Sequence, residues 1–267
     1  MAQLIKKLQN PYVKILLAPL AFILFGTIVG MTELTTKHWL NFILLYIIVL
    51  VSELVSHFFD LEKNRSQTVA RSILIVLDSI LLITTLLLVR YIYWPASIML
   101  ATYLAYLHFQ YFPYNISKSG YAVFLNTFFQ GFVLNAIAYT AQTQHLTSHF
   151  IKLLLPLTLM SLAINFEDIL LYQSLVFKRL TLPRVITRHH SLIALSISLV
   201  ATVIGIYFSL PSHSFYLVQI LFGVATVCFA LLLLVTTKTI HEIQNKLNFF
   251  GSIHLIFALL YSLSYLF

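Results

Sequence analysis

Long apolar runs, one after another, limit this chain more than any other feature of its sequence. Stretches such as WLNFILLYIIVLVSELV and SILIVLDSILLITTLLLV recur to the end of the 267 residues with short polar gaps between them. A helix rises 1.5 Å per residue, so roughly 20 apolar residues span the hydrocarbon core of a bilayer. The strands of a membrane β-barrel would instead read as ten-residue segments of alternating polarity. The fold class is therefore all-α: a polytopic membrane bundle of about nine transmembrane helices. Spans are expected at 12–31, 39–59, 70–90, 93–111, 121–141, 148–174, 191–209, 215–236 and 249–267, in one transmembrane domain covering 1–267.

Charge supports the same reading. Only 9% of residues are charged, against about a quarter in soluble proteins. A formal net charge of +8 would suggest nucleic acid in a soluble chain, but here the cations sit between apolar runs, and no nucleic-acid partner is expected. Counted over alternate loops, thirteen of the sixteen Lys and Arg fall on the N-terminal side and only Lys37, Arg90 and Lys152 on the other. Cytoplasmic loops carry such an excess. The sequence thus predicts a multi-pass protein, N-terminus in the cytoplasm, in the cytoplasmic membrane of a prokaryote. The basic start MAQLIKKLQN precedes an apolar run with no small-x-small cleavage site before Gly30, and is read as leading into the first helix rather than as a signal peptide. The single Cys228 lies inside an apolar run and excludes an intrachain disulfide.

Ionisable groups inside a bilayer cost a few kcal/mol each and mark functional sites by default. Of eight acids, five fall within or at the ends of spans: Glu53, Asp60, Asp78, Glu167 and Asp168. Glu53, Ser56, His57 and Asp60 stand at i, i+3, i+4 and i+7, one face of the second helix, and Asn64 extends the stripe. Asn165, Asp168 and Tyr172 repeat that spacing in the sixth helix, with Glu167 beside them. Two polar stripes at one depth predict a shared cavity. Glu53 and His57 can equally pair at i, i+4. Asp78 reads as protonated or bonded to a neighbouring helix, His108 as packing, and His189 with His190 as a solvated basic loop or a lipid-phosphate contact.

SELVSHFFDLEKNRSQ resembles the first aspartate-rich motif, N-D-x-x-D-x-x-x-D, of the UbiA superfamily of intramembrane prenyltransferases, with Ser56, His57, Asp60 and Asn64 in its places. YFPYNISKSGYAVFLNTFFQGFVLNAIAYTAQTQHL is similar to the fourth loop and fifth helix of the naphthoate prenyltransferases of menaquinone synthesis, through Tyr114, Lys118, Gly120, Gly131, Gln142 and Thr143. INFEDILLYQSLVFKRLTLP resembles the second motif: Asp168 fits its first acid, Tyr172 stands for the second, and Lys178, Arg179, Thr181 and Leu182 follow after a two-residue insertion. The resemblance spans roughly residues 10 to 190.

The resemblance implies a UbiA-like fold in which two acidic motifs hold Mg²⁺, the metal binds an isoprenoid diphosphate, and a carbocation alkylates an aromatic acceptor such as a quinone precursor. Carried over, His57, Asp60 and Asp168 are the catalytic candidates and Asp60 and Asp168 the residual metal ligands. Lys63, Arg65, Lys118, Lys178 and Arg179 bind diphosphate, and Glu53, Ser56, Asn64, Asn165, Glu167 and Tyr172 supply the polar cavity wall. Mg²⁺ wants carboxylate and phosphate oxygens, so the lost aspartates argue against a conventional two-metal site. Glu53, His57, Asp60, Glu167 and Asp168 leave a mixed site for Mn²⁺, Fe²⁺ or Zn²⁺ as the alternative. The expected activity is prenyl transfer from a polyprenyl diphosphate to a membrane-accessible acceptor. The alternatives are a non-catalytic binder of a prenyl lipid or quinone, and a small transporter coupling protons through Asp78 and the Glu53–His57 pair.

Overall fold

The structure, a computed structural model, describes residues 11–34, 37–64, 67–117, 119–176, 189–209, 216–235 and 239–266. Every described residue lies in a helix or a connecting loop, and seven helices are long and apolar enough to cross a membrane. The chain is thus an all-α, multi-pass membrane protein. In chain order the helices are α1 (Pro11–Thr32), α2 (Trp39–Asn64), α3 (Arg71–Val89), α4 (Trp94–Phe109), α5 (Gly120–Thr143), α6 (Ser148–Leu153 resuming after Leu154 as Leu155–Val176), α7 (His190–Ser209), α8 (Tyr216–Leu234) and α9 (Ile240–Leu266). Each expected apolar run is helical; the run in α1, Leu16–Thr32, and the 16-residue α4 are shorter than the seven.

Apolar faces left bare are what a membrane helix should show. Ile75, Leu82 and Leu86 of α3, Val203 and Tyr207 of α7, and Ile220 and Leu231 of α8 are all exposed, a pattern costly in water and neutral in lipid. Local breaks follow the sequence too. Pro156 cannot donate to the preceding turn, and α6 breaks just before it, where the Leu154 N–H turns to the carbonyls of Phe150 and Ile151. The start of the short first segment, Ser148–Leu153, is fixed by Thr147, whose hydroxyl accepts from the Phe150 N–H at 3.2 Å.

The described residues fall into two compact units. Met1–Lys14, Lys118–Phe132 and Thr147–Phe267 delimit the first, and Ile15–Ser117 with Val133–Leu146 the second. In the first, α7 packs on α6 and α8, and α9 packs on α6 and α8. Phe222, Phe229, Phe250, Phe257 and Tyr261 form the core, and the Tyr261 hydroxyl donates to the Leu153 carbonyl at 3.0 Å. The α5 segment of this unit carries all but the last residue of a π-helical turn, Thr127–Val133. Its Gly131 is required, since a Cβ there would stand 2.8 Å from the Thr158 Cα of α6.

In the second unit, the later half of α5 lies against α1 at backbone distance. Gly26 and Gly30 form a G-x-x-x-G step, the spacing that lets membrane helices approach closely; a Cβ on Gly26 would fall 2.0 Å from the Asn135 carbonyl oxygen. Gln142 then acts as a backbone clip, accepting from the His38 N–H at 3.0 Å and donating to the His38 carbonyl at 3.1 Å. Asn41 donates to the Ala141 carbonyl at 2.7 Å, and Tyr139 donates to Glu33. The α5 helix stops at Gln144, whose left-handed φ of 59° lets its N–H return to the Thr140 carbonyl. Gln142 and Thr143, picked out above by resemblance, therefore have structural work here.

Candidate functional site

The polar end of α2, within the second unit, holds the first-motif residues. Ser56 and the Tyr111 hydroxyl bond at 2.9 Å. Asn64 donates through its amide nitrogen to the Asp60 carboxylate at 2.7 Å and to Ser117 Oγ at 3.2 Å, and accepts from Asn115 at 2.8 Å; Ser117 donates to Asn115 at 2.6 Å. The side-chain amide of Asn64 presents an NH₂ group and points it at the Asp60 carboxylate, which it holds as a donor.

Around this network the wall is aromatic. Phe59 is buried and touches the rings of His108, Tyr111 and Phe112, and the Lys63 ammonium lies 4.1 Å from the centre of the Phe112 ring. His57 is exposed, with its ring against Phe58. Glu53 is half-buried. Arg65, Lys118, Lys178 and Arg179, four of the five expected diphosphate-binding residues, lie outside the described residues, as do Thr181 and Leu182.

The second-motif residues lie in the first unit, where the structure assembles a cluster the sequence reading does not anticipate. Glu167 is completely buried. One carboxylate oxygen accepts from Lys246 Nζ at 3.2 Å and Ser191 Oγ at 3.1 Å, and the other bonds His190 Nδ1 at 2.6 Å. Lys246, with 9% of its side chain exposed, also donates to the carbonyls of Leu233 at 3.0 Å and Val235 at 3.3 Å, so its three donors are satisfied. One buried ion pair thereby joins α6, α7, α9 and the end of α8, a clasp rather than an open ligand set.

His190 is consequently no solvated loop residue, as read above; it begins α7 and faces Glu167. Asn165 faces the π-helical turn, donating to Gln130 at 3.3 Å and Thr127 at 3.4 Å. Asp168 is half-buried. Tyr172 lies in α6, but its side chain is outside the described residues.

Lys246 escapes the sequence reading because the apolar run suggests a start at 249, whereas α9 begins at Ile240. The signal was present: Thr239 and Glu242 form a capping box, with Glu242 N–H to Thr239 Oγ1 at 3.2 Å and Thr239 N–H to Glu242 at 3.3 Å. That places Lys246 two turns inside a helix, where a buried acid elsewhere would be its expected partner.

An apolar cavity of about 220 Å³ lies between α6, α8 and α9, walled by Met160, Phe222, Phe229, Phe249, Ile253 and Phe257, with Cys228 also lining it. Met160 is two turns from Glu167 on the same face of α6, and Phe249 one turn from Lys246 on α9, so the cavity extends along these helices away from the clasp. An engineered cavity of about 150 Å³ accepts benzene; this one has room for a short stretch of branched hydrocarbon chain. The Cys228 thiol, placed by the sequence inside an apolar run, is exposed.

The expected metals can be tested against the donor set. Among the described residues no three of His, Cys, Asp and Glu come close enough together to hold a metal ion. Asp60 accepts from Asn64, and Glu167 is held in the clasp. No family model, curated protein or solved structure matches the chain significantly.

Proposed function

We propose that this protein is a UbiA-like membrane protein that binds a prenyl lipid or a prenylated quinone by its tail, as a non-catalytic or accessory relative of the prenyltransferases. The observation that carries this reading is the apolar, aromatic-walled cavity between α6, α8 and α9, which begins about one turn from a charged cluster. Such a slot suits a branched hydrocarbon chain whose polar head stays near the membrane surface. The amide of Asn64 on Asp60 supports binding over metal-assisted transfer, because the remaining carboxylate of the first motif already has a donor. The excess of Lys and Arg on alternate loops supports an N-terminus in the cytoplasm and a place in the cytoplasmic membrane of a prokaryote.

The chain's single cysteine provides the test. Cys228 lines the cavity, so its reaction with an apolar fluorescent maleimide, in protein held in lipid nanodiscs, reads occupancy. Geranylgeranyl or farnesyl diphosphate and the corresponding alcohols should slow labelling saturably, and straight-chain alcohols of equal length should do so less. Labelling indifferent to every prenyl compound would sink the proposal. Diphosphate release from the labelled substrate, with a phenolic or naphthoate acceptor and a panel of divalent metals, would replace it with prenyl transfer if Asp60→Ala and Asp168→Ala abolish that release.

A further inference from the structure

The face formed by α3 and α4 carries two ionisable groups that the proposed function does not use. Asp78 of α3 and His108 of α4 approach to 3.9 Å, Nε2 to Oδ1, too far for a hydrogen bond, and each side chain is 43% exposed. Asp78 Oδ1, the oxygen nearer His108, is itself buried and has no hydrogen-bond partner among the described residues. Asp78 stands seven residues, about 10 Å, inside the start of α3 and within its apolar run, while His108 stands in the last turn of α4. Lone lipid tails cannot satisfy such a pair, and membrane proteins place these groups against one another or against a partner.

The surrounding surface is built for close approach. Only 11% of the apolar window of α3 is buried, the smallest share among the seven long helices. On α4, Ser97, Ala101 and Ala105 recur every fourth residue, with Ala101 and Ala105 exposed, and His108 follows one turn later. Small residues at that spacing let two membrane helices pack backbone to backbone.

We propose that the α3–α4 face is the interface of a homodimer, in which Asp78 of each copy pairs with His108 of the partner subunit. The occupant follows from charge and symmetry. Two copies inserted in the same orientation are related by a two-fold axis along the membrane normal, which preserves depth. An acid and a base side by side at one depth form a patch complementary to itself under that operation. The small-residue stripe of α4 brings the two surfaces close enough for the pairs to meet.

The test uses the full chain in native membranes and nanodiscs, in a Cys228→Ser background. Ala105→Cys should give an oxidation-dependent cross-linked dimer, whereas Val203→Cys, exposed on α7, should not. Asp78→His alone and His108→Asp alone should lose the dimer, and the double exchange should restore it. Should the charge variants fail to fold, Ala105→Leu, on the exposed face, should still make the protein monomeric without lowering its melting temperature. A wild type that is monomeric in nanodiscs, or an Ala105→Cys chain that cross-links only to a different protein, overturns the inference. So does a dimer unaffected by Ala105→Leu and by both charge variants.

Discussion

Lys246→Met is the substitution on which the reasoning about the clasp is most exposed. Methionine keeps the apolar stem of the lysine and removes its ammonium. The change strips one donor from a Glu167 carboxylate with no solvent contact and leaves the carbonyls of Leu233 and Val235 without the ammonium's two bonds. Removing one partner of a buried pair costs about 3–5 kcal/mol, mostly for the charge left behind. His190 and Ser191 still hold that carboxylate, which places the expectation at about 3 kcal/mol, the lower end of that range. In a chain of this size that is a fall of roughly 6–12 °C in melting temperature, read by intrinsic fluorescence of the detergent-solubilised protein. Glu167→Gln should also destabilise, because it leaves the ammonium buried. The Glu167→Gln/Lys246→Met double variant should lose less than the two singles combined, with a coupling of about 0.5–3 kcal/mol. Additive effects, or a Lys246→Met protein that melts with the wild type, would refute the clasp.

Three further outcomes follow from particular contacts. Gly26→Leu should abolish folding or shift the protein into aggregates on size-exclusion chromatography, since its Cβ alone would sit 2.0 Å from the Asn135 carbonyl oxygen; normal elution and melting would contradict the α1–α5 packing. Gln142→Ala should cost about 1–3 kcal/mol by leaving both backbone groups of His38 unpaired, seen as a lower melting temperature and faster proteolysis near residue 38. Asn64→Asp should remove the amide from Asp60 and set two carboxylates one turn apart, so the variant should bind Mn²⁺ more tightly than the wild type by electron paramagnetic resonance; equal binding would show that Asn64 is not what displaces the metal.

How far the sequence predicts the fold depends on the kind of signal. Apolar runs are dictated by bilayer thickness, so α3 and α7 begin and end within a residue or two of expectation. Helix continues past an apolar run wherever caps and propensity sustain it. The last turn of α2, through Leu61, Glu62, Lys63 and Asn64, lies beyond the expected apolar span although the polar stripe runs into it, and the first turns of α9 lie ahead of the span expected there. The stripe of Ser56, Asp60 and Asn64 follows from helical periodicity alone, but its hydrogen-bond partners, Tyr111, Asn115 and Ser117, sit more than fifty residues away in sequence. Glu167 stood out as an acid in an apolar segment. Its pairing with His190 and Lys246 did not, because partners 23 and 79 residues away leave no local spacing to read. The π-helical turn and the close approach at Gly131 are likewise products of packing against α6.

The central claim is that a prenyl chain lies in the slot between α6, α8 and α9, and a photoreactive prenyl analogue carrying a diazirine near its tail tests it most directly. Irradiated in nanodiscs and mapped by peptide mass spectrometry, it should modify the peptides containing Phe222–Leu232 and Phe249–Phe257, with excess unlabelled prenyl lipid suppressing the adducts. Adducts confined to other helices, or adducts at the slot that excess prenyl lipid leaves unchanged, would contradict the account.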